Sequence, residues 1–194
     1  MEVLHPPTAE TQVSVRSAVL ADVADIVSIY NEAVQTTTAT FDTEPRSVEE
    51  QRNWMAEHDA RHPVLVAEYQ GRIVGWIALS PWSDRRAYDR TAEISVYVRA
   101  DWRGKGVGRH LMSQVLELAR ASGLHTILAR VAEGNPASRR LHAGAGFSSV
   151  GVMHEVGHKF GRFLDVELLE LRLAGLVGRS EEHPSGGAAT DPRR

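Results

Sequence analysis

Residues 91–100 form an alternating segment that leads directly into a glycine-rich turn. Apolar side chains occupy one side of this segment and polar ones the other, which is the period of a half-buried strand. The turn reads Arg-Gly-Lys-Gly-Val-Gly at 103–108, and apolar residues then recur at helical spacing as far as Leu118. A strand, a tight turn and an amphipathic helix in succession predict an α/β architecture in which the helix packs on a sheet.

The remaining patterns predict strands and helices on both sides of this unit. Apolar residues at helical spacing predict a first helix from about residue 20, and the Ser-x-x-Glu capping box at 47–50 predicts a second one to about residue 60. Asn135 and Pro136 are typical of a helix start, here of a short helix to about residue 143. Further strands are predicted at residues 13–17, 64–69, 72–80, 126–131, 147–153 and 163–173. The order β-α-α-β-β-β-α-β-α-β-β predicts an α/β domain with a mixed sheet.

The two ends of the chain differ in composition from the part between them. Residues 178–194 contain no Val, Ile, Leu or aromatic residue, so they cannot bury enough apolar surface to offset the entropy of ordering. Residues 1–12 carry two prolines and few apolar side chains. We therefore expect loose segments at 1–12 and 177–194 and a single domain at 13–176.

Composition excludes several classes of function. The chain has no cysteine, which rules out disulfides, thiolate zinc sites and acyl groups carried on a protein thiol. Its formal charge is −3, so neither nucleic acid nor an anionic membrane is an expected partner. No stretch approaches the ~18 apolar residues of a membrane span, and the first residues lack the pattern of a signal peptide. We expect a cytoplasmic protein.

The glycine-rich turn is the sharpest indication of a binding site. Gly104, Gly106 and Gly108 leave the backbone bare where a helix begins, and the free N–H groups and dipole of a helix N-terminus suit a pyrophosphate. A turn without a ligand is the alternative. The P-loop pattern fails because no Lys followed by Ser or Thr comes after its second glycine. The dinucleotide fingerprint fails because Arg109 stands where its third glycine belongs.

Two motifs at the right separation resemble a known family. The pattern [QR]-x-x-G-x-[GA] is matched by Arg103, Gly106 and Gly108 directly after a strand, and N-x-x-S-x-x-L-[YH]-x-x-x-G-[FY] is matched from Asn135 to Phe147. Both are typical of the GNAT superfamily of acetyl-CoA-dependent N-acetyltransferases. The stretches that further resemble the phosphinothricin and methionine sulfoximine N-acetyltransferases are 41–45, 81–89, 91–98 and 158–165. The likeness extends over residues 15–173.

The resemblance implies the GNAT acyl-CoA N-acyltransferase fold, a central mixed and mostly antiparallel sheet flanked by helices. It also implies acetyl-CoA as the cosubstrate and no metal. The cofactor-binding residues that it implies are Val96, Tyr97, Val98, Arg103, Gly104, Lys105, Gly106, Val107, Gly108, Asn135 and Ser138. In similar enzymes, backbone N–H groups around 96–98 polarise the thioester carbonyl. Asn135 would hydrogen-bond the pantetheine arm.

A general base is needed because an ammonium group, with a pKa of about 10, must lose a proton before its nitrogen can attack. Glu93 lies mid-strand on the polar side, beside the turn. Its carboxylate is the candidate base, directly or through a water, and a solvated strand charge is the alternative. His142 stands where many GNAT enzymes have Tyr. Its role as acid, second base or packing residue is left open.

The resemblance further implies a small amino acid substrate of the phosphinothricin or methionine sulfoximine type, acetylated by direct attack in a ternary complex. Arg85, or its neighbour Arg86, is the candidate anchor for a substrate carboxylate or phosphinate, with a solvated basic loop as the alternative. The other candidates on the substrate side are Phe41, Trp82, Tyr88 and Lys159. Similar enzymes are often dimers, so a homodimer is expected.

Two other functions are weighed against this one. A non-catalytic acyl-CoA-binding module would carry the cofactor motifs without turnover. His154 and His158 satisfy the His-Glu-x-x-His pattern of zinc proteases, which needs a helix to bring both imidazoles to one face. The surroundings are strand-like, and three glycines crowd residues 151–161, so no sustained helix is expected there, which argues against a zinc hydrolase.

Overall fold

A seven-stranded sheet forms the centre of the computed structural model, which describes residues 13–173. Its strands are β1 (Ser14–Ser17), β2 (Val64–Tyr69), β3 (Arg72–Pro81), β4 (Thr91–Val98), β5 (Thr126–Ala132), β6 (Ser148–Lys159) and β7 (Arg162–Arg172). The helices are α1 (Val23–Thr36), α2 (Val48–Ala56), α3 (Val107–Ala121) and α4 (Pro136–Gly144). The predicted order of strands and helices is confirmed.

The sheet is mixed and mostly antiparallel, as expected. Its strand order is β1-β2-β3-β4-β5-β7-β6, and within it only β4 and β5 run parallel. The parallel pair follows from the chain path, because α3 carries the chain back to the starting edge before β5 begins.

Each face of the sheet packs on its own helices. The apolar stripe of α3 lies against one face, where Leu111 and Val115 join Ala92 and Ile94 of β4 in one buried cluster. Helix α1 covers the other face, where its apolar residues cluster with Trp76 of β3. The predicted alternation of β4 is confirmed, since its apolar side chains face α3 and Tyr97 faces α1.

Two predicted boundaries were wrong. The capping box at Ser47 and Glu50 is present, but α2 ends at Ala56 and not near residue 60. The Nδ1–H of His58 donates to the carbonyl oxygen of Trp54 at 2.8 Å and so satisfies the end of the helix. Strand β6 extends to Lys159, beyond the predicted 147–153, because irregular stretches interrupt the alternation while pairing with β7 continues.

Strands β4 and β5 pair over three residues only, from Thr91 with Thr126 to Glu93 with Leu128. Beyond this point the two strands part. The outward backbone groups of β4 after Glu93 then have no neighbouring strand on this side, although β3 still pairs on the other side as far as Val98. The gap in the middle of the sheet positions the candidate site.

The predicted loose segments 1–12 and 177–194, with residues 174–176 of the predicted domain, lie outside the described residues. Within residues 13–173, no helix combines the length and the apolar character that a membrane crossing requires.

Candidate active site

A cleft of about 1670 Å³ opens where β4 and β5 part. Its walls include part of α1, loop residues 36–42, β4 residues 93–98, the glycine turn with α3, β5 residues 130–132, α4, and a few residues of β6, β7 and the turn between them. One opening in the sheet thus brings together the predicted base, the predicted phosphate turn and the Asn135 motif.

The glycine turn is shaped for an anion. Gly104 and Gly106 have φ angles of 76° and 83°, in the left-handed region that favours glycine. A Cβ on either residue would meet no atom within 4 Å, so the turn presents bare backbone at the N-terminus of α3. Exposed N–H groups and the helix dipole there suit the pyrophosphate of CoA.

Gly108 has a different role in the same motif. A Cβ on it would lie 3.2 Å from the Leu141 side chain and 3.9 Å from that of Val98. This glycine lets α3 approach α4 and β4 closely, so part of the motif serves packing.

The two cations of the turn are held against the protein. The Nε–H of Arg103 donates to the carbonyl oxygen of Val98 at 3.0 Å, and its Nη2 lies 3.4 Å from a Glu32 carboxylate oxygen. The Lys105 ammonium lies over the ring of Trp102, 4.9 Å from its centroid. Arg103 therefore ties the turn back to β4.

Asn135 caps α4 and faces the cleft. Its side-chain oxygen accepts the backbone N–H of Ser138 at 3.1 Å, and both residues line the cleft. The cap confirms the predicted helix start at Asn135 and Pro136. Because the oxygen is engaged, the side-chain amide N–H groups of Asn135 are the ones left to meet a ligand.

His142 is buried, and one of its ring nitrogens has no hydrogen-bond partner within residues 13–173. Its Nδ1–H donates to the carbonyl oxygen of Ser138 at 2.9 Å, and its ring packs edge-on against Phe147. Only 3% of the residue is exposed, and burial lowers the pKa of the imidazole. A carbonyl can only accept, so Nδ1 carries the proton and Nε2 carries the lone pair. Among the described residues, no group hydrogen-bonds Nε2.

Glu93 is held by an arginine that the sequence did not single out. The Nε and Nη2 of Arg130 donate to its two carboxylate oxygens, each at 2.6 Å. The guanidinium also lies over the Trp82 ring, 5.8 Å from its centroid, and its pKa is raised because the carboxylate stabilises the charge. Glu93 and Arg130 line the cleft. Trp82 does not line it, but its ring supports the Arg130 side chain that does.

The loop after α1 closes the other side of the cleft. Phe41 packs so closely on Gly157 of β6 that any Cβ on Gly157 would overlap the Phe41 ring. The Lys159 ammonium donates to the Thr40 carbonyl oxygen at 2.8 Å, and burial lowers the pKa of Lys159. On α1, the Tyr30 hydroxyl donates to an Asp42 carboxylate oxygen at 2.6 Å. These contacts fix the loop as a wall.

Of the five predicted substrate residues, only Phe41 belongs to the cleft lining, and Trp82 stacks with Arg130 outside it. Lys159 is buried behind it, with its ammonium directed to the loop backbone. Arg85 and Tyr88 are exposed on the loop before β4 and do not belong to the cleft lining. Their roles remain predictions.

The His-Glu-x-x-His residues lie on β6 and not on a helix, as the sequence predicted. His154 contacts Asp165 at 2.9 Å, whereas the His158 ring packs on Phe163, so the two imidazoles have different partners. Glu155, between them, has φ of 54° within the irregular stretch of the strand. Over residues 13–173, no three His, Cys, Asp or Glu side chains group as metal ligands.

Arg130 is the functional candidate that sequence reasoning missed. A weak signal exists in the sequence, because Arg130 is the one charged residue of β5. It alternates with the buried Ile127 and Ala129, so its side chain lies on the opposite face of the strand. Only the register of β5 against β4 puts it beside Glu93.

Comparisons with known proteins agree with this geometry. Residues 26–147 match the acetyltransferase (GNAT) family. The L-methionine sulfoximine/L-methionine sulfone acetyltransferase of Pseudomonas paraeruginosa is 41% identical over 165 residues, covering 82% of this chain and 94% of that one. The phosphinothricin N-acetyltransferase of Streptomyces coelicolor is 40% identical over 170 residues, covering 85% of this chain and 98% of that one.

Among solved structures, a GNAT superfamily phosphinothricin acetyltransferase from Sinorhizobium meliloti in complex with AcCoA superposes with a TM-score of 0.81. It is 31% identical, and the match covers 88% of this chain and 94% of that one. The family match, the relatives and the shared fold together establish that this chain belongs to the acetyltransferase (GNAT) family.

Proposed function

We propose that this chain transfers the acetyl group of acetyl-CoA to the primary amine of a small amino acid, by direct attack in a ternary complex. One observation carries the proposal: Glu93 and the glycine turn lie on the walls of one cleft, which opens where β4 and β5 part. A carboxylate at one end and an anion site at the other match an amine acceptor and a CoA donor.

The cosubstrate would be bound mainly by backbone. The N–H groups at the start of α3, bared by Gly104 and Gly106, would receive the pyrophosphate. The side-chain amide of Asn135 would donate to the pantetheine arm. The unpaired edge of β4 around Val96 to Val98 would polarise the thioester carbonyl, as an oxyanion hole does.

Glu93 would take the proton that the substrate ammonium must lose, directly or through one water. The amine nitrogen then forms a bond to the acetyl carbon, and the carbon–sulfur bond breaks with its electron pair on sulfur. Of the three ammonium protons, one stays on the amide, one ends on the CoA sulfur and one leaves through Glu93 to solvent. Charge and atoms balance without any further reactant.

His142 would accept a proton or a hydrogen bond at this site. Its Nδ1–H is committed to the Ser138 carbonyl, and burial lowers the pKa of the ring, so Nε2 is a bare acceptor at neutral pH. Donating a proton to the departing sulfur would require an imidazolium, which burial disfavours. Of the three roles considered for His142, which are acid, second base and packing residue, the free Nε2 lone pair supports that of second base.

The substrate class rests on the relatives. Two of them are named for methionine sulfoximine, methionine sulfone and phosphinothricin, which all carry a primary amine beside a carboxylate. Phe41 and the Trp82–Arg130 stack would shape the acceptor side of the cleft. Arg85 stays a candidate anchor only if the loop before β4 moves toward the cleft.

The test is thiol release from acetyl-CoA with a panel of primary amines that includes L-methionine sulfone, L-methionine sulfoximine and L-phosphinothricin. Turnover with at least one of them, and formation of its N-acetyl product, would support the proposal. Tight CoA binding without turnover on any primary amine would contradict it and favour a non-catalytic acyl-CoA-binding module.

The same assay, run with and without a chelator, distinguishes a zinc hydrolase from an acetyltransferase. That function predicts bound metal and loss of activity with a chelator, whereas acetyl transfer through Glu93 predicts full activity after chelator treatment. The strand position of His154 and His158, with their separate partners, favours the transferase.

We also propose that the protein is a cytoplasmic homodimer. Strand β6 lies at the sheet edge, and several large apolar side chains on β6, β7 and their turn are more than a third exposed: Val150, Val152, Met153, Val156, Phe160 and Phe163. A second copy of the chain would cover this surface.

Light scattering should give twice the monomer mass for the wild type and the monomer mass for V152E. A monomeric wild type would contradict the dimer. Cell fractionation tests the location.

A further inference from the structure

The ion pair of Glu93 and Arg130 uses two of the five N–H donors of the guanidinium. Arg130 has five N–H donors, and the Glu93 carboxylate takes one from Nε and one from Nη2. Within the described residues, these are the hydrogen bonds that the Arg130 side chain makes. The edge formed by Nη1 and Nη2 has the geometry that binds a second carboxylate through two parallel hydrogen bonds.

This free edge is accessible and fixed in place. The Arg130 side chain is 55% exposed and that of Glu93 is 20% exposed, and both line the cleft. The Trp82 ring under the guanidinium and the Glu93 carboxylate restrict its rotation. The guanidinium is therefore already oriented when an anion binds, so little side-chain entropy is lost on binding.

Two other cations on this side of the cleft, Arg46 in its lining and Lys159 behind it, already have partners. Arg46 is paired with Asp42 at 2.9 Å, and the Lys159 ammonium donates to the Thr40 carbonyl. Arg103 serves the glycine turn at the opposite end of β4, roughly 16 Å from Glu93 at strand spacing. Arg130, unlike these three cations, contacts the base directly, so it is placed to meet a substrate anion beside Glu93.

We propose that Arg130 selects α-amino acids by holding their carboxylate on its free edge while their amine faces Glu93. The substrate's ammonium and carboxylate are attached to one carbon, and Arg130 contacts Glu93 directly, so the protein also places its two opposite charges side by side. Arg130 then acts as a specificity residue and also positions the base. The inference rests on the proposed acetyl transfer and assigns its substrate anchor to β5 and not to Arg85.

The test compares two acceptors that differ only in the carboxylate, L-methionine sulfone and 3-(methylsulfonyl)propylamine. In R130M, kcat/KM for the amino acid should fall about 10- to 100-fold more than kcat/KM for the amine, the effect of losing a charged hydrogen-bonded contact. R130K should retain part of the preference. Both acceptors use Glu93 as the base. Any effect of R130M on Glu93 therefore lowers both kcat/KM values alike and cancels in their ratio.

R139M is the matched control. Arg139 pairs with Glu167 at 2.8 Å, is exposed and lies outside the cleft lining, so its loss should leave the ratio unchanged. An equal loss for both acceptors in R130M would overturn the inference. A melting curve for each variant shows whether it is folded, and R130K carries the comparison if R130M is not.

Equilibrium binding separates this inference from the proposed function. Calorimetric titration of L-methionine sulfone into the CoA complex needs no turnover. If the wild type binds the amino acid but transfers no acetyl group, the proposed function fails, and weaker binding by R130M still supports the anchor. Equal affinity in wild type and R130M, or no binding by the wild type, would overturn the anchor.

Discussion

The guanidinium of Arg130 holds both carboxylate oxygens of Glu93, with two nitrogen–oxygen distances of 2.6 Å. The pair spans β4 and β5 at the point where the two strands stop pairing. Glu93 is therefore not an isolated strand charge, because a neighbour fixes its orientation toward the cleft. The Arg130 pair also means that the base and any substrate anchor at this position act as a unit.

Replacing the candidate base should slow the chemical step. In E93Q we expect kcat to fall by about 10²- to 10⁴-fold, because the amine loses its proton acceptor. The fall of the rate on the acid side of the pH profile should disappear with it. KM for acetyl-CoA should be unchanged, because the structure places Glu93 at the end of β4 away from the glycine turn and not beside it, as the sequence suggested. E167Q, which removes another arginine-paired carboxylate outside the cleft, is the control. An unchanged pH profile in E93Q would remove Glu93 from the mechanism.

His142 should make the fold less stable in acid. Burial lowers its pKa in the folded state, whereas in the unfolded chain it titrates near 6.5. As the pH falls through 6.5, the unfolded state takes up the proton first, so the free energy of unfolding decreases by at most about 1.4 kcal/mol per pH unit. H142F keeps the packing on Phe147 but cannot titrate, so its melting temperature should drop less between pH 8 and pH 5.5. An identical drop in wild type and H142F would contradict this.

Two glycine variants, one in the glycine turn and one outside it, should separate the effect of backbone strain from that of ligand binding. Gly106 and Gly71 both have left-handed φ angles, 83° and 78°, and both have open space where a Cβ would go. G106A and G71A should each lose about 1–2 kcal/mol of stability from the left-handed conformation. Only G106A should raise KM for acetyl-CoA, because only Gly106 lies at the cleft. Equal KM values in the two variants would argue against the phosphate site.

The contact of Phe41 with Gly157 should be needed for the cleft wall. G157A forces the Phe41 ring to move and should cost about 1–3 kcal/mol as overpacking, with reduced affinity for the amino acid. G151A lies on the same strand with no neighbour within 4 Å of a Cβ, and it should change neither property. Thermal melting and KM for L-methionine sulfone measure both effects. A G157A protein with wild-type values would show that the wall is not required.

The sequence by itself determined the order of elements, the faces of β4 and the glycine turn. These features depend on local patterns: alternation along a strand, helical spacing of apolar residues, and glycines at a helix start. The caps at Ser47 and Asn135 were predicted for the same reason, since a side chain bonds the backbone three residues away. The end of α2 was missed, because His58 closes that helix through its own side chain.

Only the tertiary structure decided how Glu93 is held and what surrounds it. Arg130 lies 37 residues further along the chain and reaches Glu93 because β4 and β5 run parallel and then part. In the same way, Phe41 meets Gly157 and Lys159 reaches Thr40 through packing between distant segments. Strand register and the gap in the sheet arise from the burial of both faces at once, and no local pattern encodes them. The chain therefore specified the parts of the active site locally, and the fold supplied the partner of the base.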